Sequence, residues 1–350
     1  MQAINEMIEK ARALDASDIH LVSGLPIKYR VDGRIETLFP EVLTPEDCEA
    51  YARELAGEKY EEIEEIGELD MARSFPCGVR TRINLFRQQN AVSAAIRLLK
   101  DKIPELDTLG LPAVVADFPK YRSGIVLVTG ETGSGKSTTL ASVLNSINHS
   151  RQNHIITLED PIEYVYTPDR CVINQREIGR DTRSYADGLR AILREDPDVI
   201  LIGEMRDLPT VETALTAAET GHLVFATLHT NSAADSIDRI VSVFPQGQQQ
   251  QVRLQLSTTL KAVLSQQLIP HRSGKGRVVA CEVMVVNSAI RNLIREGKTP
   301  QIANFITTGG QSGSITMDNF LIDLWKTGKI SSEMAYQYAF DEEYIKKQVR

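Results

Sequence analysis

"SGIVLVTGETGSGKSTTLASVLNSI", residues 123–147, decides the fold. An apolar run from Ile125 to Val128 has the length and composition of a buried strand. It meets Gly130-Glu131-Thr132-Gly133-Ser134-Gly135-Lys136-Ser137, which fits GxxxxGK[ST] without a mismatch. An amphipathic segment follows, so the glycines lie between a predicted strand and a predicted helix. That context turns a Gly-rich turn into a phosphate cradle. The glycines let successive backbone N–H groups point inward at phosphate oxygens, and the helix adds its free N–H groups and dipole. Lys136 offers a charge to the β- and γ-phosphates, Ser137 an oxygen to Mg²⁺, and Thr138 continues the binding segment. ATP and Mg²⁺ are the cofactors this pattern predicts.

Turnover also requires acids beside the phosphates, and two predicted strands end in them. "IITLEDPIEY" closes on Glu159-Asp160, turns at Pro161 and presents Glu163. "DVILIGEMRD" places Glu204 after four apolar residues, although Glu204 could instead pair with Arg206. In a parallel sheet the carboxyl ends of the strands face the ligand, so both acids reach a γ-phosphate held by the glycine loop. "ETGHLVFATLHTNSA" brackets a further strand with His222 and His229. His229, at the carboxyl end, reaches the γ-phosphate. Neither histidine has Cys or His neighbours that would make a zinc site.

The predicted strands at 125–127, 155–158, 199–202 and 223–228 alternate with helical segments, which argues a parallel α/β sheet covered on both faces. From about Ser257 onward the pattern reads as mostly helical. Upstream, Ile4, Met7, Ile8, Ala11 and Leu14 fall at helical spacing. "IHLVSGLPIKYRVDGRIETL" reads as short strands with a hairpin at Asp32-Gly33. Thr44 and Pro45 open a helix that Gly57 stops. "GVRTRINLF" and "AVSAAIRLL" add two strands. Residues 1–100 are thus a small α+β domain. Residues 101–119, with Pro104, Gly110 and Pro112, read as a linker, and 120–350 as the ATPase domain.

The 350 residues are 42% hydrophobic, with a formal net charge of −8. That balance lowers the expectation of a nucleic-acid partner. No run approaches the roughly 18 apolar residues of a membrane span. The N-terminus, with Glu6, Glu9 and Asp15 among its apolar positions, does not read as a signal peptide. Cys48, Cys77, Cys171 and Cys281 form no CxxC and read as reduced thiols in a cytoplasmic setting.

Taken together, "GETGSGKST", "TLEDPIEY", "DPDVILIGEMRD" and "TGHLVFATLHT" resemble the Walker A, Asp-box, Walker B and His-box of the secretion and type IV pilus ATPases. The resemblance runs over essentially the whole chain and includes the opening "ASDIHLVSGLPIKYRVDGRI". Its retraction branch matches best. The first domain is short, the zinc-binding tetracysteine of many assembly and secretion members is missing, and "SAIRNLIRE" at 288–296 resembles a segment tied to retraction. That segment also reads simply as a helix capped by Ser288, with Ile290, Leu293 and Ile294 as its apolar stripe and Arg291 and Arg295 nearer solvent.

The family implies a PAS-like first domain, a RecA-like second domain and a homohexamer. It also implies an inner-membrane platform protein as partner and a peripheral place at the inner face of the cytoplasmic membrane. It implies that Glu163 activates water, Glu204 supports the metal, and His229 senses the γ-phosphate. Arg82 and Arg97 match the first-domain arginines that neutralise the transferring group, although Arg82 could equally be a solvent-facing strand residue. Glu131 stands where proline is frequent in the family. Pilus assembly or type II secretion, a RecA-like DNA motor, and a nucleotide-gated scaffold without turnover are the competing readings. Lys136, Glu163 and Glu204, all in place, argue against the scaffold.

Overall fold

Two sheets organise the chain, built on different hydrogen-bonding plans. A computed structural model describes residues 2–31, 33–99, 102–308 and 313–349. The chain divides into two units, Met1–Lys102 and Ile103–Arg350.

In the first unit, α1 (Ile4–Ala13) precedes β1 (Asp18–Leu21), β2 (Pro26–Val31) and β3 (Arg34–Val42). Then come α2 (Pro45–Ala56), α3 (Tyr60–Ile66), β4 (Glu68–Ser74), β5 (Arg80–Gln88) and β6 (Ala91–Leu98). The strands form one antiparallel sheet in the order β3-β2-β1-β6-β5-β4. Ile4, Met7, Ile8 and Ala11 are buried as their spacing predicts, but Leu14, past the helix end, is exposed. Thr44 caps α2 in a reciprocal box with Asp47, and Pro45 is its first residue. Val31 pairs with Arg34; Asp32, half of the predicted hairpin turn, lies outside the described residues.

In the second unit, β7 (Gly124–Thr129), α4 (Lys136–Ser150), β8 (His154–Glu159), β9 (Val172–Glu177) and α5 (Tyr185–Ile192) come first. They are followed by β10 (Val199–Ile202), α6 (Leu208–Glu219), β11 (Leu223–Leu228), α7 (Ala233–Ser242) and α8 (Gln246–Thr259). Next are β12 (Leu260–Pro270), β13 (Arg277–Val285), α9 (Ser288–Glu296) and α10 (Ile302–Thr308). The chain closes with α11 (Met317–Lys326), α12 (Ser332–Gln337) and α13 (Glu342–Gln348).

The second sheet runs β13-β12-β7-β11-β10-β8-β9, parallel except for β13. Alternate residues of each central strand enter two cores. Ile125, Leu127, Ile200 and Ile202 pack on one side with α5 to α9. Val126, Val128, Val199 and Leu201 pack on the other with α4. Burial on both faces explains why these strands read as continuous apolar runs.

Three expectations are corrected. Residues 103–120 are not a bare linker. They form short 3-10 helices whose Val115 and Phe118 are buried against α4, and the Ser142 hydroxyl donates to the Pro104 carbonyl. The region after Ser257 is not simply helical, because β12 and β13 come first. Ser265, Gln266 and Glu282 interrupt their apolar pattern and are buried, partnered by other elements. Finally, Asn287 rather than Ser288 caps α9, its Oδ1 accepting the Ile290 amide at 2.9 Å. The apolar stripe of α9 is buried, and Arg291 and Arg295 are exposed.

Candidate functional site

The site begins where β7 ends. The loop 130–135 returns over the carboxyl end of the sheet and starts α4. A Cβ at Gly130 would lie 2.3 Å from the Gln266 carbonyl and 2.7 Å from the Ser134 hydroxyl, so only glycine fits there. Gln266, on the neighbouring β12, donates from Nε2 to the Ser134 carbonyl at 2.9 Å. The preceding residue of β12, Ser265, bonds the Thr129 hydroxyl at the end of β7 at 2.8 Å. β12 therefore props the loop from outside, a role no local sequence pattern announces.

What the loop surrounds is polar and unfilled by its own groups. Among the described residues, the amides of Gly133, Gly135, Lys136 and Ser137 find no acceptor within the chain. The Ser134 hydroxyl is buried without a partner among the described residues. The Lys136 ammonium folds back to donate to the Gly130 and Glu131 carbonyls, at 2.6 and 2.9 Å. Burial lowers its pKa, opposed by the nearby carboxylates of Glu204, Glu163 and Glu131. Inward N–H groups, an orphan hydroxyl and a half-buried ammonium without a bonded carboxylate make a site for an anion. Beside it, the Thr138 hydroxyl bonds the Tyr164 hydroxyl at 2.9 Å.

The two acids have different surroundings. Glu204, just past β10, is largely shielded, with Arg206 Nε at 2.5 Å and His229 Nε2 at 3.1 Å from one carboxylate oxygen. The pairing with Arg206 that the sequence left open is therefore formed, and His229 joins it. The Thr227 hydroxyl donates to the Gly203 carbonyl, tying β11 to the turn that carries Glu204. Glu163 is exposed. Its backbone is held by Glu159, whose carboxylate accepts the Glu163 amide together with Thr157 Oγ1 at 2.6 Å and Gln175 Nε2 at 3.1 Å. Burial raises the Glu159 carboxyl above its usual range. Glu159 is a fixed anchor, while the Glu163 carboxylate makes no hydrogen bond or ion pair among the described residues. Tyr185, which the sequence reading passed over, places its hydroxyl so close to Gly203 that a Cβ there would lie 2.7 Å away. Burial pushes this phenol upward, and Asp160, Glu204 and Glu159 add to the shift. His222 sits at the opposite end of β11, its Nδ1 2.9 Å from the Ala217 carbonyl, and belongs to helix-end packing.

Arg82 and Arg97 lie in the first unit, directly opposite one another on β5 and β6. Like charges in such a pair repel, and each is answered by a carboxylate. Arg82 binds Asp70 through Nε and Nη2, and Arg97 Nε lies 2.9 Å from Asp18. Both remain substantially exposed.

The donor set fits Mg²⁺ beside phosphate. Ser137 presents a hydroxyl at the head of α4 with no hydrogen bond to the described residues, and Glu204 brings a shielded carboxylate to the same strand ends.

The model of the family described as type II/IV secretion system protein matches residues 1–312. The type IV pilus retraction ATPase PilT of Pseudomonas aeruginosa is 46% identical over 340 residues, spanning 96% of this chain and 98% of that protein. A twitching motility protein of Neisseria gonorrhoeae is 48% identical over 276 residues, spanning 79% of this chain and 74% of that one. A crystal structure of the pilus retraction motor PilT with bound ADP superposes with a TM-score of 0.92 at 48% identity, covering 99% of this chain and 100% of that one.

Proposed function

The chain belongs to the type II/IV secretion system protein family, and from that premise we propose that it is the ATPase that powers type IV pilus retraction. The observation that carries this reading is end-to-end similarity to a retraction motor solved with ADP, joined to a loop whose unfilled donors suit a nucleotide's phosphates.

In this reading the amides of residues 133–137 and the Lys136 ammonium hold the β- and γ-phosphates, with Gly130 to Thr138 as the binding segment. Lys136 releases the carbonyls of Gly130 and Glu131 when phosphate arrives. Mg²⁺, when bound, neutralises charge between these phosphates, and Ser137 and Glu204 would hold it. Glu163 takes the proton of the attacking water; its exposure and anchored backbone suit a base that must meet a mobile solvent molecule. His229, bonded to Glu204, reports the γ-phosphate to the helix that follows it. Arg82 and Arg97 exchange Asp70 and Asp18 for the transferring group in an assembled ring.

The motor works as a homohexamer at the inner face of the cytoplasmic membrane, against a platform protein there. Among the described residues no helix is long and apolar enough to cross a membrane. The PAS-like identity of the first unit belongs to the same proposal; an antiparallel sheet carrying helices is consistent with it.

Deleting the gene in its host tests direction of force. Retraction predicts cells that keep or accumulate surface pili and no longer twitch. Loss of pili would instead assign the chain to assembly.

A further inference from the structure

The hairpin joining β12 to β13 has a composition unlike the rest of this acidic chain. Residues 271–277, "HRSGKGR", hold Arg272, Lys275 and Arg277 and no acid. The turn is ordered by its own bonds. The Gly274 amide reaches the His271 carbonyl at 2.9 Å, the His271 amide reaches the Gly276 carbonyl at 3.1 Å, and the Ser273 hydroxyl lies 2.8 Å from His271 Nδ1.

A second turn is stitched to it. The Arg272 amide donates to the Lys329 carbonyl at 2.8 Å, which brings in Lys326 and Lys329 from the end of α11. All five cations are exposed, and none makes an ion pair among the described residues. Of the two carboxylates on α11, Asp318 is buried and accepts the Phe340 and Asp341 amides, which leaves Asp323 as the exposed one on these two segments. Trp325, the only tryptophan of the chain, sits beside Lys326 and is only partly buried on the core of α11 to α13. Elsewhere Arg53, Arg82, Arg97, Arg176 and Arg206 all have carboxylate partners. Five unpaired cations on two ordered, adjacent turns form a focused positive field.

We propose that this double turn, Arg272, Lys275, Arg277, Lys326 and Lys329, is the face by which the chain rests on an anionic lipid bilayer, with Trp325 entering the headgroup region. A body of net charge −8 is repelled by such a surface except where a basic patch leads, so the patch also fixes orientation. Cations beside an anionic leaflet attract within a Debye length, and tryptophan favours the interface for its amphipathic ring. The proposal extends the motor reading by naming the lipid-facing surface.

The test is co-sedimentation of the full chain, without nucleotide, with vesicles of phosphatidylglycerol and phosphatidylcholine, read alongside Trp325 emission. The wild type should sediment and its emission shift to the blue. It should ignore pure phosphatidylcholine and be released by salt. R272A/K275A/R277A should bind about 100-fold more weakly, at about fivefold per cation. R272K/K275R/R277K should bind as the wild type does. Retained ATPase activity of the alanine variant checks its folding. Absence of wild-type binding would overturn the proposal in favour of an acidic protein partner. Equal binding to neutral vesicles, or unchanged binding by the alanine variant, would overturn it as well. Because ATP is absent from the vesicle assay, either result leaves the motor reading standing.

Discussion

The arginine row of the first unit and the glycine loop of the second treat charge in opposite ways. Arg82 and Arg97 face each other across two strands, yet both are answered within the chain by Asp70 and Asp18. Among the described residues, the loop at 130–137 leaves amides and a buried hydroxyl unpartnered and a half-buried ammonium without a carboxylate bonded to it. The first region is satisfied as folded and must break bonds to act on a phosphate. The second is incomplete as folded and gains bonds when a phosphate arrives. A nucleotide should therefore stabilise the second unit directly, whereas the arginines exchange one anion for another at little net change.

The largest effect expected from this contrast is chemical. Glu163→Gln keeps the shape at the site and loses the base, so ATP turnover should fall by roughly 10²–10⁴-fold while ATP affinity stays close to wild type. Turnover and binding measured side by side check this; unchanged turnover would move the base to another acid.

Packing effects come next. Leu293 is buried on α9, and Leu293→Ala should cost about 2–5 kcal/mol in denaturant unfolding. Arg291→Ala and Arg295→Ala, on the exposed face, should stay within about 0.5 kcal/mol. If those arginine variants fold and assemble yet abolish twitching, α9 transmits motion; normal twitching leaves it a structural helix.

A third prediction concerns a buried acid that is satisfied yet strained by its surroundings. Glu282 accepts the Ala233 amide at the head of α7 and the Met317 amide at the head of α11. Burial raises its carboxyl from 4.5 to about 7, with Asp318 and Asp235 adding to the shift. Because the folded value is raised, its contribution is complete below the unfolded value and is lost as pH rises through about 7. Relative to Glu282→Gln, the wild type should lose about 3 kcal/mol between those limits. A pH-independent difference between the two proteins would contradict the assignment.

The smallest effect belongs to the satisfied region. Asp18→Asn removes the largely shielded partner of an exposed Arg97, and because the pair opens to solvent through the guanidinium it should cost under about 1 kcal/mol. A much larger loss would mean that the arginine row holds up the first unit rather than waiting for an anion.

The sequence made legible what is local. The glycine loop, the strand before it and the helix after it are adjacent in the chain, and the acids fall at strand ends set by apolar runs. Thr44 and Pro45 announce α2 for the same reason. What escaped depends on distant partners. Ser265, Gln266 and Glu282 are polar because the end of β7, the glycine loop, α7 and α11 lie against them, and without those neighbours they disguised β12 and β13. Pro104, Gly110 and Pro112 mark turns, but Val115 and Phe118 after them needed the α4 surface to be read as core. Residues 60–74 were missed because α3 and β4 expose acids on the outside and bury only Tyr60, Ile63 and Leu69.

The central claim is that the loop at 130–137 is built around a nucleotide that the chain alone cannot replace. Thermal unfolding with and without ADP and Mg²⁺ tests it most directly. At nucleotide concentrations about 100-fold above the dissociation constant, the wild type should gain about 2.7 kcal/mol, while Lys136→Ala should gain far less and hydrolyse no ATP. A wild-type midpoint indifferent to nucleotide, or an equal gain in Lys136→Ala, would contradict the account.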